Sequence, residues 1–442
     1  MTTSLRSTRR LVRRGLALAT GGILALGAAL ATQVAPAAAA DPPRNGIVCT
    51  TGGPAAKQPV FDLTTRTGYI DLPDGNTAFM WGYSNGFDPF QHPGPVLCVH
   101  EGDVVTVILH NTLKVATSMV FPGQDDVRAD GVPSQPQVDT GTGMMTSLAP
   151  GAAPTTGTVT YTFTANRAGT YLYEAGTDPE TQVRMGLFGA LIVRPVDDAG
   201  VAHDDHAYDS SDSAFDRTEE FMVLLSEIDP YQHQAVERNK TFNITKYKAR
   251  YWLINGRGYP DSIADNGASW LPNQPYGSLA TVQPYSAAHP LSGMARYLSV
   301  GSEDYPFHPH GNNGLVIGRD GHELKNGTAD MSMEKFAINI GPGQTWDVLF
   351  KWYDAENYSP ANPVTVTVPS LANQVVGTFY SGSPYLGSSQ ALPPGVQTLN
   401  QCGEYYIISH NHALYQITSW GVTMTGPITY MRIEPPTPNN CG

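Results

Sequence analysis

Apolar and polar residues alternate with a period of two in short runs along most of the chain, the pattern of half-buried β-strands. In Val104-Val105-Thr106-Val107-Ile108-Leu109 the positions Val105, Val107 and Leu109 share one face, and Glu101-Gly102-Asp103 supplies the turn before them. The same period recurs in Val159-Thr160-Tyr161-Thr162-Phe163 and, after Ala168-Gly169, in Thr170-Tyr171-Leu172-Tyr173. A nearly continuous apolar run at 186–193 closes this first unit. A second series of strands starts at 219–226 and continues through 251–256, 295–301, 346–350, 405–408 and 429–433. Between them, residues 197–216 are rich in Asp and Ser and carry His203 and His206 with little apolar material, which reads as a linker. Its two histidines could bind metal, but composition favours a solvated loop.

Composition strengthens this all-β reading. The 442 residues include 45 Gly, 35 Pro and 22 Tyr and only 15% charged side chains, which suits strands and turns better than solvated helices. The length exceeds one ordinary core and predicts two domains, at 41–195 and 216–442, joined by a linker at 196–215. A formal charge of −13 offers no electrostatic footprint for a phosphate backbone, so no nucleic-acid partner is expected.

Residues 1–40 read as a signal peptide. Arg6, Arg9, Arg10, Arg13 and Arg14 form a basic start, residues 16–30 an apolar middle, and residues 37–40 a small-residue end before Asp41. The run Thr8-Arg9-Arg10-Leu11-Val12-Arg13 resembles a twin-arginine signal, with Val12 departing from the usual pattern; ordinary secretion is the alternative. Removing residues 1–40 takes away five basic and no acidic side chains, so the net charge moves from −13 to −18. No other apolar run is long enough to span a bilayer, and an exported location is expected. In that oxidising setting the four cysteines predict disulfides. Three pairings are open, and the expected one keeps each bond inside one domain, Cys49 with Cys98 and Cys402 with Cys441.

The segments 94–111, 168–193, 251–261, 305–321 and 403–433 together resemble the multicopper oxidase family, built from cupredoxin domains. The resemblance implies two cupredoxin-like Greek-key β-sandwiches and four motifs that carry copper ligands. In Thr117-Ser118-Met119-Val120-Phe121-Pro122-Gly123, Val120 and Pro122 stand at ligand positions and cannot bind a metal. In Tyr173-Glu174-Ala175-Gly176 only Glu174 can donate. The third motif reads Tyr305-Pro306-Phe307-His308-Pro309-His310, keeping two of three histidines. In the fourth, His410-Asn411-His412 keeps its outer pair, while Asn411 replaces Cys and Gln416 replaces a further His.

These departures carry chemical meaning. A blue copper needs a thiolate and two imidazoles, and Tyr305, Asn411 and Gln416 supply none of them. A laccase-type oxidase is therefore not expected, nor is a blue protein. His308 with His310, and His410 with His412, are each two residues apart on extended chain, so each pair shares a strand face. If the two strands are neighbours, four imidazoles converge, a donor set suited to copper or zinc. By analogy His310 and His410 share one metal, while His308 and His412 face the positions of two others. Glu174 could complete the coordination, act as a general base, or hydrogen-bond a ligating imidazole.

Two functions follow: a copper-binding oxidoreductase with a reduced metal site acting on an unidentified small molecule, or a metal-free relative used for binding or structure. Two-domain members of the family often form trimers with sites between chains, so a homo-oligomer is a further expectation. It cannot by itself restore the ligands lost at Val120 and Pro122, which every copy lacks. The remaining histidines, His92 and His289 before prolines and His100 and His110 at strand ends, predict surface or structural roles. Trp81, Tyr83, Phe87 and Phe90 could line a binding surface, but their Gly- and Pro-rich setting favours a packed loop.

Overall fold

The alternation in the sequence becomes the inward and outward faces of paired sheets. A computed structural model describes residues 45–53, 57–352, 367–368, 398–399 and 405–434. Residues 1–40, Cys402 and Cys441 lie outside the described residues. Within residues 49–194, a six-stranded sheet runs in the order Thr77–Asn85, Val60–Asp71, Val104–His110, Thr158–Thr164, Arg128–Ala129, Val132–Pro133. A five-stranded sheet faces the same core, in the order Cys49–Thr50, Val96–His100, Phe188–Arg194, Gly169–Ala175, Met119–Val120. Val105, Val107 and Leu109 are fully buried, and Val104–His110 enters from a turn at Gly102, whose φ of 80° suits glycine. The disulfide Cys49–Cys98 forms as expected and staples Cys49–Thr50 beside Val96–His100.

Residues 215–433 repeat the arrangement with one nine-stranded and one five-stranded sheet. The long strand Phe215–Ile228 pairs with Ser292–Ser299 on one side and Tyr251–Ile254 on the other. The five-stranded sheet runs Ala280–Val282, Ile428–Ile433, Tyr405–Asn411, Tyr305–Pro309, Ile338–Ile340. Phe221, Val223, Leu225, Tyr297, Tyr305, Phe307 and Val348 fill the space between the two sheets. The chain is thus mostly β, with cupredoxin-like sheet pairs. Among the described residues no helix is long and apolar enough to cross a membrane.

The polar interval 197–216 is packed against both sheet pairs. Ala207 and Tyr208 are buried with Ala168, Phe215, Met294 and Leu349, and the Tyr208 hydroxyl donates to Asp347 Oδ2 at 2.5 Å. Around it Arg194 donates twice to the Glu220 carboxylate, Arg296 Nε donates to Glu220 Oε1 at 2.5 Å, and Arg296 Nη1 reaches Thr170 Oγ1 at 2.7 Å. Burial pushes the Glu220 carboxyl up, but Arg194 and Arg296 outweigh it and hold it below the ordinary carboxylate range. Composition hides this packing, because one aromatic anchor at Tyr208 suffices to bury a segment that is otherwise polar.

The aromatic set differs from its expectation. Trp81 and Tyr83 are core residues of the strand Thr77–Asn85, Phe90 is buried in the following loop, and Phe87 is exposed with its ring 5.4 Å from that of His110. The run from Ala78 to Trp81 is continuously apolar and Gly82 interrupts it, so no alternation marks the strand.

Candidate metal centre

The strands Tyr305–Pro309 and Tyr405–Asn411 are antiparallel neighbours, and His308 stands directly opposite His410. Opposed residues in an antiparallel pair share a face, and so do residues two apart. His308, His310, His410 and His412 therefore emerge together on the outward face, while Tyr305, Phe307, Ser409 and Asn411 turn inward and are fully buried. The pairing continues past the strand ends, where His310 N–H donates to Ile408 O at 3.0 Å and His412 N–H to Pro306 O at 2.8 Å.

The four rings cluster. Centroid distances are 4.5 Å for His308–His310, 5.1 Å for His310–His410, 5.4 Å for His308–His412 and 5.6 Å for His410–His412. His310 Nε2 and His410 Nε2 are 3.0 Å apart, the spacing of two cis ligands on one ion with bonds of about 2.0 Å. Backbone carbonyls orient two of the rings: His308 Nδ1–H donates to Phe336 O at 2.5 Å and His410 Nδ1–H to Asn411 O at 2.8 Å. That leaves Nε2 as the lone-pair nitrogen of each, the outer-shell arrangement of ligating histidines. Desolvation, then the neighbouring imidazoles, lower the His310 pKa. Desolvation also lowers that of His410, with His308 and His412 adding to it against the Asn411 carbonyl. Both effects favour the neutral, donor form. The donor set thus fits an imidazole-bound copper.

Among the described residues, no hydrogen bond or ion pair joins Glu174 to these histidines. It lies on Gly169–Ala175, in register with Val120, and lines a cleft of about 930 Å³ with Val120, Phe121, Pro122, Arg128 and Leu148. No histidine lines that cleft. Desolvation raises the Glu174 pKa, so the carboxyl keeps its proton to higher pH than an exposed one.

On the buried face the residues at the expected blue-copper positions bond to one another. Asn411 Nδ2 donates to Gln416 Oε1, and Gln416 Nε2 donates to Glu303 Oε2 at 2.7 Å. Trp252 Nε1 and the Tyr415 hydroxyl donate to the same Glu303 oxygen, each at 3.1 Å. The Tyr305 hydroxyl donates to Glu227, which also accepts from Ser302 N–H and, at 3.3 Å, from the Tyr247 hydroxyl. Desolvation raises the Glu227 pKa in spite of these donors. A Cβ at Gly301 would displace the Glu227 carboxylate. Sequence reasoning missed Glu227 and Glu303, which lie 78 and 113 residues from Tyr305 and Gln416 respectively; no local pattern marks them.

Among the described residues, three potential donor atoms fall within 4.8 Å of one another in two groups, His203, Asp205 and His206, and Asp216, Glu219 and His289, whereas the close donor approach in the four-histidine cluster is that of the pair His310 and His410. Of the other histidines, His92 is buried, His100 pairs with Asp204 and His110 with Asp62.

Residues 66–198 match a family described as multicopper oxidase. Multicopper oxidase CTB12 of Cercospora beticola is 33% identical over 109 residues, covering 24% of this chain and 15% of that protein. Copper resistance protein A of Escherichia coli is 28% identical over 211 residues, covering 46% of this chain and 30% of that protein. Laccase-1 of Emericella nidulans is 26% identical over 213 residues, covering 44% of this chain and 31% of that protein. The matches span less than a third of each of these relatives. The fold is similar to the blue copper oxidase from Nitrosomonas europaea, with a TM-score of 0.53, 18% identity and coverage of 85% of this chain and 86% of that one.

Proposed function

Because the chain belongs to the multicopper oxidase family, we propose that it is an exported copper-binding protein of oxidoreductase type, with a reduced metal centre at His308, His310, His410 and His412 and no blue copper. The observation that carries this reading is the facing pair His310 Nε2 and His410 Nε2, 3.0 Å apart on a shared strand face. The Asn411–Gln416–Glu303 chain supports the second half of the proposal, because the donors that replace thiolate and imidazole are already engaged with each other. Copper so held would supply one-electron exchange with a small molecule. The partly exposed histidines leave that molecule a direct approach from solvent, and the carbonyls of Phe336 and Asn411 keep the rings in their ligating orientation. The basic and apolar start of residues 1–40 supports export.

Metal analysis with electron paramagnetic resonance on copper-loaded protein tests the proposal. Bound copper with nitrogen hyperfine structure and no thiolate signature is expected, and H310A/H410A should remove it. Copper-free wild type after loading, or unchanged copper in the double variant, would overturn it.

A second reading rests on the cleft around Glu174. Val120 and Pro122 line it where the family places imidazoles, so apolar side chains stand beside the Glu174 carboxyl in a cleft that also carries Asp125, Asp126 and Arg128. A metal-free binding protein would use this cleft. Retained binding of a small molecule after complete metal removal and in H310A/H410A would favour that reading.

A further inference from the structure

We propose a second cation site, independent of the four-histidine centre, in which His203, Asp205 and His206 hold one divalent ion of borderline softness, zinc or copper(II). The three side chains each place a donor atom within 4.8 Å of the others. Two imidazoles and a carboxylate select such ions over calcium or magnesium, which take oxygen ligands.

The backbone that presents these donors is fixed without any ion. His203 N–H donates to Pro195 O at 3.0 Å, Phe215 N–H donates to Asp205 O at 2.9 Å, and His206 pairs with Ala214. Ala207, the next residue, is fully buried and anchors the loop. The donors are therefore held on a scaffold, and binding does not first have to order a loop. The rings of His203 and His206 approach edge-on at 5.1 Å between centroids. His206 Nδ1 lies 2.8 Å from Asp205 Oδ1, and His203 Nε2 lies 3.2 Å from Asp197 Oδ2, so a fourth donor, from a second carboxylate, stands beside the cluster.

The local field favours a cation as well. The Arg217 guanidinium is engaged by Asp204, which also pairs with His100, and the charged groups that act on Asp205 are His206 and His203. Both histidines are partly exposed, so an ion can enter from solvent and keep water in its remaining positions. Without an ion the same side chains form two ordinary pairs, His203 with Asp197 and His206 with Asp205. The test must separate these states.

Chelator-stripped full-length H310A/H410A protein, which lacks two donors of the four-histidine centre, is titrated with zinc chloride by calorimetry and then with copper(II). One ion per chain is expected, with affinity weakened at least tenfold when H203A/H206A is added. As a measurement free of variants, zinc should shield His203 and His206 of the wild type from diethylpyrocarbonate, read by peptide mass spectrometry. No zinc or copper binding in the H310A/H410A background, unchanged affinity on adding H203A/H206A, or equal modification with and without zinc would overturn the site. Because the background variant lacks the facing pair His310 and His410 on which the copper proposal rests, failure here is distinct from failure of that proposal.

Discussion

The side-chain amide of Asn411 is donated to the side-chain carbonyl of Gln416, so two positions that could have served a blue copper close on each other. Tyr305 is likewise committed to Glu227. Introducing a thiolate alone should therefore fail to make a blue site. Copper-loaded Asn411→Cys is expected to lack an intense copper–thiolate band, while Y305H/N411C/Q416H, which supplies two imidazoles and a thiolate, should show one. Visible absorption spectroscopy checks both.

Glu220 accepts from Arg194 and from Arg296, all three nearly or fully buried. Removing the carboxylate leaves two guanidinium groups with less compensation in the interior. Glu220→Ala should lower unfolding free energy by about 3–5 kcal/mol, measured by urea denaturation. Adding Arg296→Met should cost less than the two single changes summed, since the pair is directly coupled.

Burial pushes the Glu219 carboxyl up to about 8, the Gln283 amide opposes this, and Asp216 and Glu434 reinforce it. His289 Nε2 faces the same carboxylate at 3.1 Å. The folded value exceeds the ordinary 4.5, so the native chain holds a proton that the unfolded chain releases between these two values. The contribution of Glu219 to stability is present below that window and is lost as pH rises through about 8. Glu219→Gln should flatten this part of the profile, read from urea midpoints across the window.

Cys49 and Cys98 close a loop with a sequence separation of 49. C49S/C98S should cost about 2–4 kcal/mol by the same denaturation measurement, with the copper content of the protein unchanged, since neither residue touches the four histidines.

Much of this architecture is legible in the sequence where a single strand carries its own pattern. Val105, Val107 and Leu109 announce a buried face because period two needs no partner to be recognised. His308, His310, His410 and His412 are legible for the same reason: two pairs at the same spacing converge once their strands are adjacent, and they are. Glu174 shows the limit of that logic. Its motif marks it as a possible donor, but its sheet places it in a cleft lined by no histidine. Tyr208 and Glu303 show another limit, since the place of each is defined by partners more than a hundred residues away. Composition around Tyr208 describes a solvated linker, and only the waiting carboxylate of Asp347 makes it an anchor.

That anchor bears on how such chains can be recombined. Thr170 and Arg194 come from the first sheet pair, Arg296 and Asp347 from the second, and Tyr208 from the segment between them. A chimera that joins the first half to a foreign second half at residue 216 would keep its connector and still strand Arg194 without Glu220. The smallest exchangeable part is set by who shares Glu220 and Asp347, and a graft that respects the seam in the chain while ignoring that partnership should yield insoluble protein.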